Sequence, residues 1–249
     1  MSSFPQQLSR AIAERWREES ARGNSLSATG AILRELYGFV RDSTPERRRS
    51  RYGDMDYDWE HRVNTTSGSV GWQERLLGVF HSAYQPTDAE AFHEMMAALP
   101  IDFGEFTFID IGSGKGRTLL MASAYPFRRI IGVELLPELH RAAAENIAVY
   151  RNDDQRCKQI ESLSADAREF EFPLEPLVVY LFNPLPSAGL ERLLANLGES
   201  LQHKPRAVYV VYHNPLLKEL LETCAWLTKV GNTTNSVIYR NSAFPQNPP

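Results

Sequence analysis

Cysteine is scarce in this chain, with Cys157 and Cys224 the only two in 249 residues. Two distant thiols make no disulfide framework and lack the paired spacing of a zinc site, so neither a stapled scaffold nor a metal centre is expected. Long apolar runs are missing as well. None approaches the ~20 residues that cross a bilayer, and the first residues are polar, unlike a signal peptide. Positive charge is not in excess: 27 Lys and Arg against 31 Asp and Glu give a net charge of −4. That balance implies no global attraction to nucleic acid or to an anionic membrane. What is present, 43% hydrophobic and 23% charged residues, describes an ordinary soluble globule. A reduced cytoplasm is its simplest expected setting, and the length suits one α/β domain with an N-terminal addition.

Glycine is concentrated at one informative place. Phe108-Ile-Asp-Ile-Gly-Ser-Gly-Lys-Gly-Arg117 runs from an apolar strand into Gly112, Gly114 and Gly116, with Ser113 between them, and continues into a helical pattern over 117–124. Glycine lets a backbone turn sharply out of a strand and approach a ligand closely. A strand, a glycine turn and a helix N-terminus make the first half of a mononucleotide-binding unit. The dinucleotide fingerprint G-x-G-x-x-G would put its third glycine where Arg117 stands. Asp110 precedes the turn, and a carboxylate there repels a pyrophosphate but attracts a cation. The segment resembles the first motif of the class I (Rossmann-like) S-adenosylmethionine-dependent methyltransferases. That resemblance implies S-adenosyl-L-methionine as cofactor, with Asp110, Gly112, Ser113, Gly114 and Gly116 about its cationic end. An NAD-dependent oxidoreductase and a non-catalytic S-adenosylmethionine-binding protein are the alternatives.

Arg128-Arg-Ile-Ile-Gly-Val-Glu134-Leu135 is a short β-branched run ending in an acid, as a buried parallel strand does. Glu134 follows Gly116 by 18 residues, close to the ~20-residue interval at which an acid reaches ribose hydroxyls in nucleotide-binding βαβ units. A third run ends in Ala165-Asp166-Ala167, similar to the family's third motif, which implies that Asp166 accepts from the adenine amino group and Ala167 offers its amide. Asp is also among the best helix caps, so a purely capping Asp166 is the competing reading. The fourth run, Pro176-Leu-Val-Val-Tyr-Leu-Phe-Asn183-Pro184-Leu185-Pro186, is unbroken and apolar until a proline stops the ladder. Strand carboxyl ends face the ligand crevice in an open doubly wound sheet, which puts Asn183 and Pro184 among the candidate catalytic residues and Asn183 among the candidate cofactor contacts as well. The same logic places His213 and Asn214 at the end of 206–212, with His213 the candidate general base. Each Asn-Pro can also be simple turn punctuation.

Asn183-Pro184 invites comparison with the Asp/Asn-Pro-Pro-aromatic motif of amino methyltransferases, in which Asn or Asp and a proline carbonyl grip the target nitrogen. Leu185 and Pro186 depart from it, so the covering aromatic is missing. The expected acceptor is therefore an amine on a protein side chain or small molecule, favoured over nucleic acid.

Helices are expected over 89–99, 117–124, 137–150, 188–201 and 215–224, and strands over 106–111, 129–134, 158–163, 177–182 and 207–212. Prolines at 137 and 215 suit a first helical turn. Two short tail strands, 226–230 and 236–240, would close the sheet as an antiparallel hairpin. Strict alternation argues for a doubly wound, mostly parallel seven-stranded α/β sheet with right-handed crossovers. The expected organisation is an N-terminal helical and loop extension over 1–80, a cofactor-binding domain over 81–243 and a frayed tail over 244–249.

Within the extension, 9–19 and 28–40 have helical periodicity. Arg47-Arg-Arg-Ser-Arg51 is offset by nearby acids and reads as solvated. Tyr52-Gly-Asp-Met-Asp-Tyr-Asp-Trp59 alternates acids with aromatics and is a candidate lid. Tyr84-Gln-Pro-Thr87 precedes the first core helix, and Thr87 with Glu90 has a capping-box spacing. Taken with the glycine turn and Glu134, this order resembles a group of bacterial class I methyltransferases of largely unassigned substrate and, more distantly, the Dot1-like seven-stranded lysine methyltransferases. By that analogy Tyr84 and Thr87 contact the methionine end of the cofactor.

Overall fold

Thr107–Ile111 (β1) consists of five residues buried on both faces, and it occupies the middle of the sheet because no polar face needs water. A computed structural model describes residues 4–22, 28–34, 37, 55–66 and 86–242. The chain divides into two compact units, Met1–Met55 with Thr66–Gln85 and Asp56–Thr65 with Pro86–Pro249. In the first unit Phe4–Arg22 (α1) is helical, longer at both ends than its periodicity predicts, with i,i+4 ion pairs Arg10–Glu14 and Arg15–Glu19. Residues 28–34 (α2) are helical as expected there. The basic run 47–51, residues 52–54 of the candidate lid, Tyr84 and the tail 243–249 lie outside the described residues.

The second unit holds Met55–His61 (α3), Ala89–Ala97 (α4), Arg117–Ala122 (α5), Pro137–Val149 (α6), Ser187–His203 (α7) and Lys218–Glu222 (α8). Its other strands are Arg129–Glu134 (β2), Ile160–Ser164 (β3), Leu177–Leu181 (β4), Val208–His213 (β5), Leu227–Asn232 (β6) and Ser236–Asn241 (β7). They form one seven-stranded sheet in the order β3-β2-β1-β4-β5-β7-β6, parallel except for β7, which runs antiparallel to both neighbours. The mostly parallel seven-stranded α/β sheet expected from the sequence is therefore present.

Side chains alternate across the pleat, which splits the interior into two layers. Ile109, Ile111, Val179 and Val210 pack with Leu190, Leu193 and Leu197 of α7 and Leu221 of α8. Phe108, Ile130, Val178, Tyr180 and Val211 pack with Phe92, Met95 and Met96 of α4 and Leu119 of α5. Asp110, Tyr180 and His213 share the parity of this second face, so the candidate polar residues gather on the α4–α5 side.

Two local expectations are corrected. Thr87 is not the cap of α4; Asp88 is, accepting from the Ala91 amide at 3.0 Å, because the helix starts at Ala89 and the cap is the residue just before it. Pro215 does not open a helix either. The amides of Leu216 and Leu217 are taken by Asn183 Oδ1 and the Tyr212 hydroxyl, and α8 begins only at Lys218. Asn183 and Asn214 have φ of 46° and 45°, left-handed conformations that asparagine tolerates and that end β4 and β5 abruptly.

Candidate functional site

The turn after β1 is built onto the end of β2. The amides of Gly112 and Ser113 both donate to the Val133 carbonyl, at 2.8 and 3.2 Å, and the Gly116 amide closes the turn on Ser113 O at 2.8 Å. Gly112, with φ of +78°, needs its missing side chain twice over: a Cβ there would lie 2.8 Å from Cβ of Pro184. The two motifs read from distant parts of the sequence thus touch at the carboxyl edge of the sheet. Gly132 serves a different close approach, since a Cβ on it would meet Ser113 Oγ at 2.6 Å. That hydroxyl is buried and has no hydrogen-bond partner among the described residues.

Glu134 ends β2 beside this turn, only 6% exposed. Its Oε2 accepts from the Gly114 amide and its Oε1 from the Leu136 amide, both at 2.8 Å. Burial raises its pKa, and the amides of Leu136, Gly114 and Leu135 pull in the opposite direction. A carboxylate has about four acceptor positions, so capacity for two further donors remains. Leu135 beside it is 43% exposed and offers apolar surface.

Asp110 lies two residues back along the ladder, paired with Gly132 and Tyr180. The Thr118 hydroxyl donates to its Oδ2. Complete burial is the main reason its pKa is pushed up to about 7; the Thr118 bond opposes this, and the charge of Glu134 adds to it. The folded chain therefore keeps a proton that the unfolded chain releases near pH 4. Asp110 stabilises the fold fully below that pH and progressively less up to about 7. The loss is about 1.4 kcal/mol per pH unit for one proton. The expected result is that the thermal midpoint of the wild type, relative to Asp110→Asn, falls between about pH 4 and pH 7 and then levels off. A pH-independent difference would mean that Asp110 is ionised throughout.

Thr87 is buried and shares a 2.8 Å hydrogen bond with the Tyr180 hydroxyl. Tyr180 stacks on His213 at 6.4 Å, and Phe182 meets the same imidazole edge-on at 4.6 Å. His213 Nδ1 is 2.9 Å from Ser236 Oγ on the antiparallel strand β7. Burial lowers the His213 pKa, opposed by the charge of Asp88, and so favours the neutral ring. Asn183 turns its amide toward the end of β5: Nδ2 donates to Asn214 O at 2.8 Å, while Oδ1 accepts from the Tyr212 hydroxyl at 2.8 Å and the Leu216 amide at 3.2 Å. This amide joins the two Asn-Pro turns to each other. Asp166 caps the short 3-10 turn Ala167–Glu169, accepting from the Arg168 amide, and its oxygens pair with the Arg168 guanidinium at 2.6–3.0 Å. The capping geometry considered for Asp166 is present.

Sequence reasoning missed the partners of Arg117. This residue is 2% exposed. Its Nε donates to Thr65 Oγ1 at 2.6 Å, its Nη2 lies 3.1 Å from Asp58 Oδ1, and its guanidinium sits 4.8 Å from the centre of the Tyr57 ring. The signal was present: Tyr57 and Asp58 belong to the acid–aromatic run, and a buried Arg in the expected place of a glycine calls for a carboxylate. Among the described residues no helix is long and apolar enough to cross a membrane, and no cluster of three His, Cys, Asp or Glu is placed to hold a metal ion.

No family model matches the chain. It is similar to an uncharacterized RNA methyltransferase of Chlamydia muridarum (strain MoPn / Nigg), 29% identical over 169 residues, 64% of this chain and 39% of the relative. A second, also an uncharacterized RNA methyltransferase, from Chlamydia caviae, is 24% identical over 200 residues, 70% of this chain and 47% of the relative. The chain thus spans less than half the length of these curated relatives. Among solved structures it resembles an RNA methyltransferase of Salinibacter ruber in complex with S-adenosyl-L-homocysteine, at 20% identity and a TM-score of 0.41, over 66% of this chain and 96% of that one.

Proposed function

We propose that this chain is a methyltransferase that uses S-adenosyl-L-methionine and methylates RNA. The observation carrying the cofactor reading is the glycine turn fastened to Glu134 through the Gly114 amide. The residues fit the group. Gly112, Gly114 and Gly116 leave a cradle without side chains, and Glu134 keeps acceptor capacity for vicinal hydroxyls. Asp110 sits where a cation would favour its ionised form, and Ser113 holds an unpartnered buried hydroxyl. Leu135 offers exposed apolar surface beside Glu134. Asp166 and Ala167 stand beyond β3, where Ala165 donates to Glu134 O at 3.0 Å; an adenine contact there would require Asp166 to share its carboxylate with Arg168. Because a cation stabilises ionised Asp110, cofactor affinity is expected to rise with pH through about 7.

The names of the two relatives support RNA over the protein side chain or small amine expected from the sequence. The missing aromatic after Asn183-Pro184 was the argument against a nucleic-acid acceptor; net charge, which implied no global attraction, is a sum over the whole chain that says little about one crevice. S-adenosylmethionine, when bound, supplies an activated methyl group. The chain's residues then have to align the acceptor, exclude water and take a proton. Asn183-Pro184 lies against the glycine turn and sets one wall. His213, held at Nδ1 by Ser236 and favoured in its neutral form by burial, is the candidate general base.

The test is tritiated methyl transfer from S-adenosylmethionine to separate pools of RNA, protein and small amines. Label that ribonuclease releases supports this reading; label released only by protease returns the acceptor to protein. Binding of NADH without binding of S-adenosylhomocysteine would sink the methyltransferase reading altogether. Asn183→Ala is expected to lower turnover at least tenfold, ~1.4 kcal/mol. Cofactor affinity should stay nearly unchanged, because the hydrogen bonds described for the Asn183 side chain run to β5 and its turn. A large loss of affinity instead would make Asn183 a cofactor residue.

A further inference from the structure

We propose that Arg117 is a positioning residue for the cofactor loop, acting through a strap formed by residues 57–65. The proposal rests on the cofactor reading above and extends it to residues outside the glycine turn. Asp56–Thr65 packs with the sheet, although the segments on either side of it, Met1–Met55 and Thr66–Gln85, belong to the other unit.

The strap is fastened at two points. At the first, Arg117 opens α5 directly after Gly116, and its buried guanidinium binds Thr65 Oγ1 and Asp58 Oδ1 over the Tyr57 ring. Asp58 also accepts from the Thr65 amide at 2.7 Å and from the Thr65 hydroxyl, so its carboxylate closes the strap on itself as it holds the cation. At the second, Asn146 of α6 bonds the strap and the loop together. Its Oδ1 accepts from the Asn64 amide at 2.8 Å, and its Nδ2 donates to Asn64 O at 3.0 Å and to Lys115 O at 2.9 Å. Lys115 Nζ adds a bond to Asn64 Oδ1 at 3.2 Å.

Lys115 and Arg117 flank Gly116, which is left-handed at φ +83°. Glycine gives that backbone no side chain of its own to pack, so beyond its amide bond to Ser113 O its conformation depends on how its neighbours are held. Here both neighbours are held by one external segment. A ligand that needs the amides of this turn in one geometry binds more tightly when that geometry is already set. The strap therefore determines cofactor affinity without touching the cofactor.

The experiment uses the full chain with Asp58→Asn, Asn146→Ala and Arg117→Lys. Asn146→Ala removes the second fastening and leaves the Arg117–Asp58 pair intact, so a folding failure of one variant does not remove the test. Two readouts are taken at a temperature well below unfolding: amide hydrogen exchange of the peptide containing 112–118 without ligand, and the dissociation constant of S-adenosylhomocysteine. The expected result is at least tenfold faster exchange in that peptide, with peptides from β4 and β5 unchanged, and at least tenfold weaker binding. Arg117→Lys should recover part of both, because it keeps the charge but not the fork. Unchanged exchange at the turn, or unchanged affinity, overturns the proposal. If the wild type fails to bind S-adenosylhomocysteine, the cofactor reading falls separately, and the positioning role falls with it even where the exchange of the turn responds.

Discussion

Gly112→Ala is expected to lower the thermal midpoint by about 5–15 °C and to abolish cofactor binding. Two independent costs combine. At φ of +78° a side chain is strained wherever it points, by ~1–3 kcal/mol. The new methyl group would also lie 2.8 Å from Pro184 Cβ, a ring atom held in place by the Asn183 turn. Overpacking of this kind typically adds ~1–3 kcal/mol. For a chain of this size each kcal/mol moves the midpoint by about 2–4 °C. Relaxation would have to separate the β1 and β4 turns, which is the one motion the site does not tolerate. The check is a melting curve together with titration of S-adenosylhomocysteine. A normal midpoint with normal binding would mean that the two turns are not in contact in solution.

Glu134→Ala is expected to weaken cofactor binding at least tenfold, ~1.4 kcal/mol, and also to destabilise the free protein. From the sequence, a ribose-binding carboxylate looks dispensable for the fold. The structure revises that, because Glu134 is the partner of the Gly114 and Leu136 amides. Removing it leaves two donors in need of another partner, each costing ~1–3 kcal/mol if water cannot reach it. Glu134→Gln separates the two roles. It keeps one acceptor oxygen for an amide but loses half of what a pair of hydroxyls needs. Affinity should therefore fall in both variants, while the midpoint falls mainly in the alanine variant. A Glu134→Ala protein that melts normally but binds poorly would show that the amides find water, and normal binding would refute the ribose assignment.

These two residues also show what could be read from the sequence. The glycine turn, its strand and the acid after β2 are local signals at fixed spacing, set by the βαβ unit itself. The sheet followed from the same alternation, and all seven strands lie close to their expected positions. Long-range pairings had no such spacing. Nothing in the sequence says that Arg117 meets Asp58, that Thr87 meets Tyr180 or that Asn183 meets Tyr212, because each joins elements brought together only by packing. The start of α8 was misread for the same reason. Pro215 is a good first residue for a helix, yet two amides following it were already taken by residues of β4 and β5. For Asp166 the sequence offered a cap and an adenine contact; the cap is a local bond to the Arg168 amide, while the Arg168 guanidinium that shares its carboxylate was not anticipated.

The reversed strand β7 has a consequence for synthesis. It is inserted between β5 and β6, so the last of the seven strands to be made lies not at the rim but next to it. Until β7 arrives, β5 presents an unpaired row of backbone groups whose residues are buried along their whole length in the finished sheet. Such an edge pairs readily with other chains. The finished rim is safer: β6 carries exposed Thr228, Lys229 and Val230, and its pairing is irregular between Lys229 and Gly231. A nascent chain released before about Ser236 would thus carry the whole glycine turn and β1 to β5, and yet its fate would be aggregation on the ribosome's doorstep.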